Sequence, residues 1–370
     1  MVKYQLKTIT PVHIGTGETL SQIDGFYNNG QWHRIDIDAV LATIPESELN
    51  RLTIAMGQHN FQWDKYLPTS QTSTSYTLPC PQDPRETEIR EAMKDAFGRP
   101  MIPGSSIKGA IRTALLWDLI DGDNTEAKKE LKEQLQRRDN RSGIGQKIEQ
   151  QVLGNDPNHD LMRVVQVSDT SPIPIEALEM GVAWTVTLSR NNNLVQKREG
   201  NREYKTFIEQ IRPEQTFDFS IKIDKSLFGQ REKRELRYSD RQQRALCEEL
   251  AEVCNFVANG IAKDEAEFYD YYRLPELANF YESLSNQIEN LPDGVFVLPI
   301  GWGTGYRAKT VTELLAGDDD DLMNLRKRYG LGQSRSRRGH YHPEFPKTRR
   351  VLYDHQKPQS PLGWVQIAPV

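Results

Sequence analysis

The 370-residue sequence predicts an α+β fold, because strand-like and helix-like segments follow one another in irregular order. Residues 2–9 alternate apolar and polar side chains, as a half-buried strand does. In residues 101–120, Ile107 and Ile111 recur with other apolar residues at helical spacing, so one face of a helix packs on a core. Residues 230–288 predict a longer helical region.

The remaining segments predict further elements in chain order. Asn-Asn-Gly at residues 28–30 is typical of a hairpin turn. Residues 50–85, rich in Thr and Ser, are expected to be an irregular loop. The other predicted strands lie at residues 161–170, 182–190, 203–211, 216–223, 295–300 and 363–370, and the other predicted helices at 37–49, 86–97 and 125–151.

Composition favours a soluble protein with a large polar surface. Only 37% of the residues are hydrophobic, and the formal net charge is −5. No run approaches the roughly 20 apolar residues of a membrane span, and the N-terminal segment lacks a signal-peptide core. Cys80, Cys247 and Cys254 match neither a disulfide framework nor a metal-site spacing. We therefore expect a cytoplasmic protein without membrane contact.

The apolar helix described above starts with small and basic residues. Ser105 or Ser106 is expected as the N-cap, with Gly104 in the preceding turn. Lys108 and Arg112 stand four residues apart, off the apolar stripe. Basic side chains in a first turn oppose the helix dipole, whereas a bound phosphate would favour them. An ordinary capped helix with solvated basic residues is the alternative.

The decapeptide GWGTGYRAKT combines Gly301, Gly303 and Gly305 with Arg307 and Lys309. It matches neither the Walker A pattern nor the dinucleotide-binding glycine pattern. Its glycines would leave backbone N–H groups open to a polyanion. A tight strand-to-helix turn is the alternative. Together with the helix start, this segment favours a long phosphate backbone over a single nucleotide.

Residues 326–350 hold nine Lys and Arg residues against one acid, Glu344. Tyr329, Tyr341 and Phe345 are interleaved with these charges. Basic residues for phosphates and aromatic faces for bases are what a single-strand binder requires. A solvated basic tail is the alternative.

Few residues indicate catalysis. Asp24 follows the first glycine-rich loop and could serve a metal-dependent cleavage of RNA, but an Asp beside a Gly is more typical of a turn. His340 and His342 could pair on a strand face, yet no third ligand has metal-site spacing. We therefore expect no metal and no cofactor.

Six motifs together resemble the RAMP superfamily of CRISPR proteins: PVHIGTGE, IPGSSIKGAIRTALL, VSDT, GWGTGYRAKT, FPKTRR and PLGWV. The segment IPGSSIKGAIR is typical of the superfamily as a whole. The combination of GWGTGYRAKT with FPKTRR and PLGWV is most similar to the fifth Csm subunits of type III-A effector complexes. The motifs extend over residues 11–365, so the resemblance covers nearly the whole chain.

The resemblance implies an RRM-like core of the ferredoxin type, βαββαβ, with helical insertions and a projecting β-hairpin. Residues 1–225 would then form the core, with an inserted loop at 50–85 and a helical segment at 125–151. Residues 226–290 would be a helical insertion. Residues 291–370 would carry the second glycine-rich loop and the basic segment, and would complete the core.

The resemblance also implies which residues hold RNA. His13 and Gly15 would shape the first glycine-rich loop. The implied RNA-binding residues are Gly104, Ser105, Ser106, Lys108 and Arg112 in a first clamp, Gly301, Gly303, Gly305, Arg307, Lys309 and Thr310 in a second, and Lys347, Arg349 and Arg350 as further contacts.

The implied function is that of a non-catalytic subunit at the 3′ end of the CRISPR RNA, supporting complex assembly and guide 3′-end maturation in antiviral defence. Its implied partners are the single-stranded 3′ region of that RNA, neighbouring RAMP backbone subunits, host nucleases and, indirectly, the target RNA. The backbone subunits cut target RNA with a loop aspartate, and Asp24 stands at about that place. A magnesium-dependent endoribonuclease using Asp24 is therefore the alternative.

Overall fold

The computed structural model describes residues 2–58, 61–63, 73–84, 87–121, 129, 133, 144–189, 191–312, 314, 319–333, 339–354 and 357–370. The strands are β1 Val2–Thr8, β2 Gly15–Leu20, β3 Gly25–Asn28, β4 Gln31–Ile35, β5 Thr74–Pro79, β6 Ile89–Ala92, β7 Val165–Val167, β8 Leu178–Leu188, β9 Leu194–Gln196, β10 Arg198–Glu199, β11 Arg202–Glu203, β12 Lys205–Ile211, β13 Thr216–Ile223, β14 Phe296–Pro299, β15 Thr348–Asp354, β16 Lys357–Ser360 and β17 Trp364–Pro369. The helices are α1 Ile37–Thr43, α2 Glu46–Met56, α3 Gly104–Asp121, α4 Ile144–Leu153, α5 Gln230–Leu236, α6 Asp240–Cys247, α7 Leu250–Tyr271, α8 Pro275–Glu289 and α9 Asp319–Tyr329.

The first sheet is antiparallel, with the strand order β14-β17-β1-β13-β7. Its centre is β1, where Leu6 lies opposite Phe217 of β13 and Ile367 of β17. Helix α3 packs against α7, β7 and β14. The buried side chains of Leu6, Phe217, Ile111 and Cys254 share one core, because each element turns its apolar stripe inward.

The second sheet has the strand order β16-β15-β8-β12-β6-β2, with β9 paired to β8. Strands β12 and β6 run parallel, and the other neighbours run antiparallel. In the register of β15 with β8, Arg349 lies opposite Val186 and Arg350 opposite Thr185. Because successive residues of a strand point to opposite faces, the two arginines point away from each other.

Three smaller features surround these sheets. Strands β3, β4 and β5 form a third sheet, and the predicted turn at residues 28–30 joins β3 to β4. Beyond it, α1 and α2 pack around a separate small core that contains Val40 and Leu52. A hairpin formed by β8 and β12 continues through β10 and β11. None of the described helices is both long and apolar enough to cross a membrane.

The α+β class is confirmed, and two local predictions are wrong. Residues 86–97 were expected to be helical but contain strand β6, which pairs with β12 and β2. Ile89 and Ala92 are buried there, so sheet pairing overrides the helical propensity of the surrounding Glu, Ala and Lys residues. Residues 50–85 are not irregular throughout, because they contain most of α2 and all of β5. Of the predicted helix at 125–151, residues 144–151 are helical in α4, and most of the preceding residues lie outside the described residues.

Candidate nucleic-acid interface

A cluster of basic side chains surrounds Trp302 on one face of the second sheet. The guanidinium carbon of Arg350 lies 4.4 Å from the centre of the Trp302 ring, and that of Arg90 lies 5.0 Å from it. Lys309 follows in the same loop as Trp302 and is close enough to Arg350 to repel it. Arg90, Lys309 and Arg350 are all exposed. We call these four residues the Trp302 cluster.

The cations of the Trp302 cluster lack acidic partners. Within the described part of the chain, no carboxylate forms an ion pair with Arg90, Lys309 or Arg350. Desolvation and the charge of Arg90 lower the pKa of Arg350, and desolvation and Arg350 lower that of Lys309. Like charges held together without counter-charges create a positive potential that an anion would relieve.

The two glycine-rich loops pack against each other and hold Trp302 in place. The backbone N–H of Trp302 donates to the carbonyl oxygen of His13 at 2.9 Å. Gly301 has a φ of +76°, and a Cβ there would lie 2.5 Å from that same oxygen. Only glycine allows both this backbone conformation and this approach. A Cβ on Gly15 would lie 3.0 Å from Nε2 of His13, so the backbone of the first glycine-rich loop packs directly against the imidazole ring.

His13 is a buried, neutral side chain that joins this arrangement to the sheet. Its Nδ1 lies 2.7 Å from the carbonyl oxygen of Glu209, and its ring meets Trp302 edge to face with 6.0 Å between centres. Burial lowers the pKa of His13 to about 4, although the Glu209 carbonyl opposes that shift. The imidazole is therefore uncharged at neutral pH and acts as packing beneath the cations.

Glu209 fixes several elements beneath the same loop. It is fully buried, and its carboxylate accepts hydrogen bonds from the Tyr76 hydroxyl at 2.6 Å and from the Ala92 N–H at 2.9 Å. Lys94 supplies its counter-charge at 2.5 Å. These contacts connect β5, β6 and β12, so the position of Arg90 on β6 depends on a satisfied polar network.

Two predicted RNA-binding arginines instead converge on Glu265 of α7. Nε of Arg349 donates to the Glu265 carboxylate at 2.7 Å, and Arg307 approaches the same carboxylate at 3.6 Å. Arg349 is 5% exposed and lies 3.9 Å from the centre of the Phe268 ring. Burial acts to lower the pKa of Arg349, whereas the Glu265 carboxylate and other neighbouring groups act to raise it, and the net shift is upward. We call Arg307, Arg349 and Glu265 the Glu265 cluster.

The start of α3 is capped differently from the prediction. The helix begins at Gly104, whose N–H donates to the Asp169 carboxylate at 2.8 Å. Ser105 and Ser106 are in the first turn, so neither is the N-cap, and Ser105 is exposed. A Cβ on Gly104 would lie 2.4 Å from the Val167 carbonyl oxygen. The VSDT segment therefore occupies this helix start and supplies the negative charge that the dipole favours.

The two basic residues of α3 differ in their contacts. Arg112 pairs with Glu149 of α4 at 3.0 Å. Lys108 is half-buried and has no ion-pair or hydrogen-bond partner within the described ranges. Trp117, on the same helix, donates its indole N–H to the Thr310 carbonyl at 2.9 Å, which connects α3 to the second glycine-rich loop.

The other predicted contacts vary in accessibility. Gly303 has no room for a side chain, because a Cβ would lie 2.6 Å from Leu362. Gly305, at a φ of +94°, faces open space. Lys347 is half-buried, and its carbonyl oxygen accepts a hydrogen bond from Leu188 of β8.

The aromatic residues of the basic segment, residues 326–350, contact arginines of that same segment. Arg326 is 2% exposed and donates to the His342 carbonyl at 2.7 Å. Phe345 and Tyr341 lie 4.6 Å and 5.6 Å from its guanidinium, and burial lowers its pKa. Tyr329 accepts a hydrogen bond from its neighbour Arg328. In the described part of this segment, all three rings therefore contact arginine side chains. Residues 334–338 lie outside the described residues.

Asp24 is engaged by its own turn. One carboxylate oxygen accepts hydrogen bonds from the Ser21 N–H and hydroxyl, at 2.8 Å and 3.0 Å, and the other lies 2.8 Å from Arg34. No cluster of three metal-ligating side chains occurs within the described ranges. These contacts are those of a turn-forming aspartate.

Comparison with known proteins identifies the family. The sequence profile of the RAMP superfamily matches residues 5–308. The chain belongs to the RAMP superfamily. This confirms the resemblance drawn from the sequence motifs.

Two relatives that are similar to this chain carry the same name. A protein of Methanocaldococcus jannaschii named CRISPR system Cms protein Csm5 is 24% identical over 99% of this chain and 88% of its own length. The protein of the same name from Streptococcus thermophilus is 25% identical over 51% of this chain and 57% of its own length.

Solved structures share the RAMP fold described here. A chain in a cryo-EM structure of a type III-A Csm–crRNA–target RNA ternary complex superposes with a TM-score of 0.72 at 22% identity, over 99% of this chain and all of that one. The crystal structure of T. onnurineus Csm5 gives a TM-score of 0.67 at 21% identity, over 98% and 99% of the two chains.

The RAMP motifs include the loop that carries Trp302 and Lys309, but they do not include every residue of the Trp302 cluster. Arg90 lies in a segment predicted as helix, so its place beside Trp302 could not be foreseen. Trp302 was part of the second glycine-rich motif, and its position between glycines was a signal for a close-packed platform. Asp169 lies at the end of the segment predicted as a strand, residues 161–170, and its carboxylate instead caps α3. Glu265 carried no sequence signal beyond its place on an apolar helix.

Proposed function

We propose that this chain is a CRISPR RNA-binding subunit of a type III-A effector complex. The observation that carries this proposal is the Trp302 cluster, in which three exposed cations lie together without acidic partners among the described residues. Phosphate oxygens are the anions that such a site suits, and contacts to them carry no base code. The Csm5 names of the relatives and the RNA-containing complex among the similar structures support the assignment.

The proposed binding site combines exposed residues from both glycine-rich loops and from the second sheet. Arg90, Lys309 and Arg350 would contact phosphates, while His13 and Gly15 shape the loop beneath them. Lys108 and Lys347 extend the proposed path, as do Ser105 and Gly305. Arg307 and Arg349 would act indirectly, by holding the second loop and β15 against α7.

We also propose that the core is an RRM-like fold of the ferredoxin type. The strands β17, β1, β13 and β7 lie in the spatial order of the fourth, first, third and second strands of a βαββαβ unit. Helix α3 lies between β1 and β7 along the chain, and α7 lies between β13 and β17. This order supports the proposal, with β14 as an additional edge strand.

Within the complex, the proposed position is the 3′ end of the CRISPR RNA. The subunit would contact neighbouring RAMP subunits, meet the target RNA indirectly, and support guide 3′-end maturation by host nucleases in the cytoplasm. We propose that it binds RNA without cutting it, because Ser21 and Arg34 already engage both carboxylate oxygens of Asp24.

Binding of a labelled, single-stranded guide RNA to the purified chain tests the proposal. Removing two phosphate contacts with Arg90→Ala plus Arg350→Ala should reduce the slope of log K against log salt by about 1.4, at about 0.7 per contact. The control, Lys3→Ala plus Lys225→Ala, removes two exposed cations from the first sheet and the turn after it. Equal slopes in both variants would refute the site.

The same RNA, incubated with magnesium or with EDTA, tests the non-catalytic assignment. We expect a shifted and intact band in both conditions. Discrete fragments that need magnesium and vanish in Asp24→Asn would replace the binding role with the endoribonuclease alternative.

A further inference from the structure

A second surface feature, a cleft of about 780 Å³, opens where three parts of the molecule meet. One wall consists of β8, β15 and β16 of the second sheet, and the turn of the β3–β4 hairpin contributes Gly30. Phe280 of α8 and Tyr353 of β15 supply aromatic surface. Prolines add rigid apolar surface: Pro11, Pro79, Pro81 and Pro213. Clefts between structural modules are frequent binding sites.

The cleft contains a buried hydrogen-bond acceptor without a partner. Gln210 is 4% exposed, and its amide nitrogen donates to the Glu179 carboxylate at 3.0 Å. Among the described residues, its amide oxygen has no hydrogen-bond partner. A Cβ on Gly181 would lie 2.2 Å from that oxygen, so glycine is required for the amide to lie there. A buried acceptor left unpaired costs free energy that an incoming donor would recover.

The charged side chains that line the cleft differ in sign from those of the Trp302 cluster. Its described lining contains two acids, Glu179 and Asp354, and no base. Arg212 pairs with Glu179 at 3.3 Å but lies outside the lining. A phosphate placed here would face carboxylates, whereas an N–H donor or a cation would be attracted. The cleft therefore suits a protein segment with such a donor better than it suits an RNA backbone.

We infer that the cleft is a docking site for a segment of a neighbouring protein subunit. The segment inserts an apolar side chain between Phe280 and the prolines, and it carries an adjacent Lys or Arg that meets the carboxylates. A rearranged Gln210 amide oxygen accepts one of its N–H groups. This inference rests on the proposed function, which places the chain in an assembly with protein neighbours.

Site-specific crosslinking in the assembled complex tests the inference. A photo-reactive residue replaces Gln359, an exposed side chain at the rim, in a complex reconstituted from purified subunits and guide RNA. We expect mass spectrometry to map the crosslink to a peptide of another subunit with an apolar residue beside Lys or Arg. A crosslink to RNA or to a second copy of this chain would overturn the inference, as would no crosslink at all.

Blocking the cleft provides the second measurement. Ser360→Trp should fill it and weaken incorporation of the chain into the complex by at least about tenfold, the effect of losing one buried apolar contact. Asp293→Lys, at an exposed acid outside the cleft, serves as the control and should incorporate normally. Unchanged incorporation of Ser360→Trp would refute the docking site.

The proposed RNA site and the proposed docking cleft can be refuted independently of each other. RNA binding by the isolated Ser360→Trp chain should equal that of the unmodified chain, because the cleft has no role in phosphate contact. Loss of RNA binding in Arg90→Ala plus Arg350→Ala with normal crosslinking at Gln359 would support both. Normal RNA binding of that double variant would refute the proposed RNA site, whatever the crosslinks show.

Discussion

Arg349 and Arg350 are neighbours in β15, yet they belong to two regions with opposite properties. Arg349 points into the Glu265 cluster, where it is 5% exposed and bonded to a carboxylate at 2.7 Å. Arg350 points into the Trp302 cluster, where it is exposed, lies 4.4 Å from an indole ring and has no described acidic partner. Glu265 raises the pKa of Arg349, whereas desolvation and Arg90 lower that of Arg350.

The difference teaches that a basic motif can serve two purposes at once. The alternation of a strand sends one arginine to the core and the next to the surface. The inner arginine fixes β15 against α7, and the outer one is then presented at a defined position. A buried guanidinium needs a counter-charge, whereas an exposed group of cations can remain unpaired until an anion arrives.

Removing the counter-charge of the buried region should have the largest effect. Glu265→Ala leaves Arg349 buried without its carboxylate, which typically costs about 3 to 5 kcal/mol. Chemical denaturation should show a much lower midpoint for this variant. Glu267→Ala, at an exposed position of the same helix, should change stability by less than about 0.5 kcal/mol. Equal denaturation midpoints for Glu265→Ala and Glu267→Ala would mean that the Glu265 cluster does not stabilise the fold.

Acid should weaken the support beneath the Trp302 cluster. The pKa of His13 is lowered from 6.5 to about 4, so the unfolded chain takes up a proton on this ring at a higher pH than the folded chain does. Its contribution to stability is present above pH 6.5 and is lost as the pH falls toward 4, by about 2 to 3 kcal/mol. Denaturation at pH 7.5 and 4.5 should show a smaller loss in His13→Asn. An identical loss would place the acid sensitivity elsewhere.

Single substitutions of the two neighbouring arginines should separate the regions. Arg350→Ala should lower the salt slope of RNA binding by about 0.7, or affinity about fivefold at 0.1 M salt, with little change in stability. Arg349→Ala should destabilise the chain but leave the salt slope of its folded fraction unchanged. Fluorescence anisotropy titrations at several salt concentrations measure the salt slope of RNA binding, and thermal melts measure the stability. The comparison fails if both variants change the same quantity.

The start of α3 should give the smallest effect. Asp169→Asn keeps an oxygen that accepts from the Gly104 N–H but removes the negative charge, at a cost of about 0.5 kcal/mol. RNA affinity should stay the same, because this helix start is already occupied by the protein's own carboxylate. Tighter RNA binding in this variant would instead mean that the backbone N–H groups of this helix start bind RNA directly.

The sequence by itself determined the fold class, most strands and helices, and the loops that meet at the proposed site. These features follow from local periodicity, from glycine and from turn residues, all of which act over a few positions. It also determined the family, because the RAMP motifs occur in order along the chain.

Only the tertiary structure decided which basic residues are available to a ligand. Whether an arginine meets Glu265, Glu149 or solvent depends on contacts between residues far apart in the chain. The same holds for Arg90, because β6 forms only when β12 and β2 pair with it and override local helical propensity. Charge and spacing in the sequence identify the candidate RNA-binding residues. Their burial and their ion pairs in the folded chain decide which of them can meet a ligand.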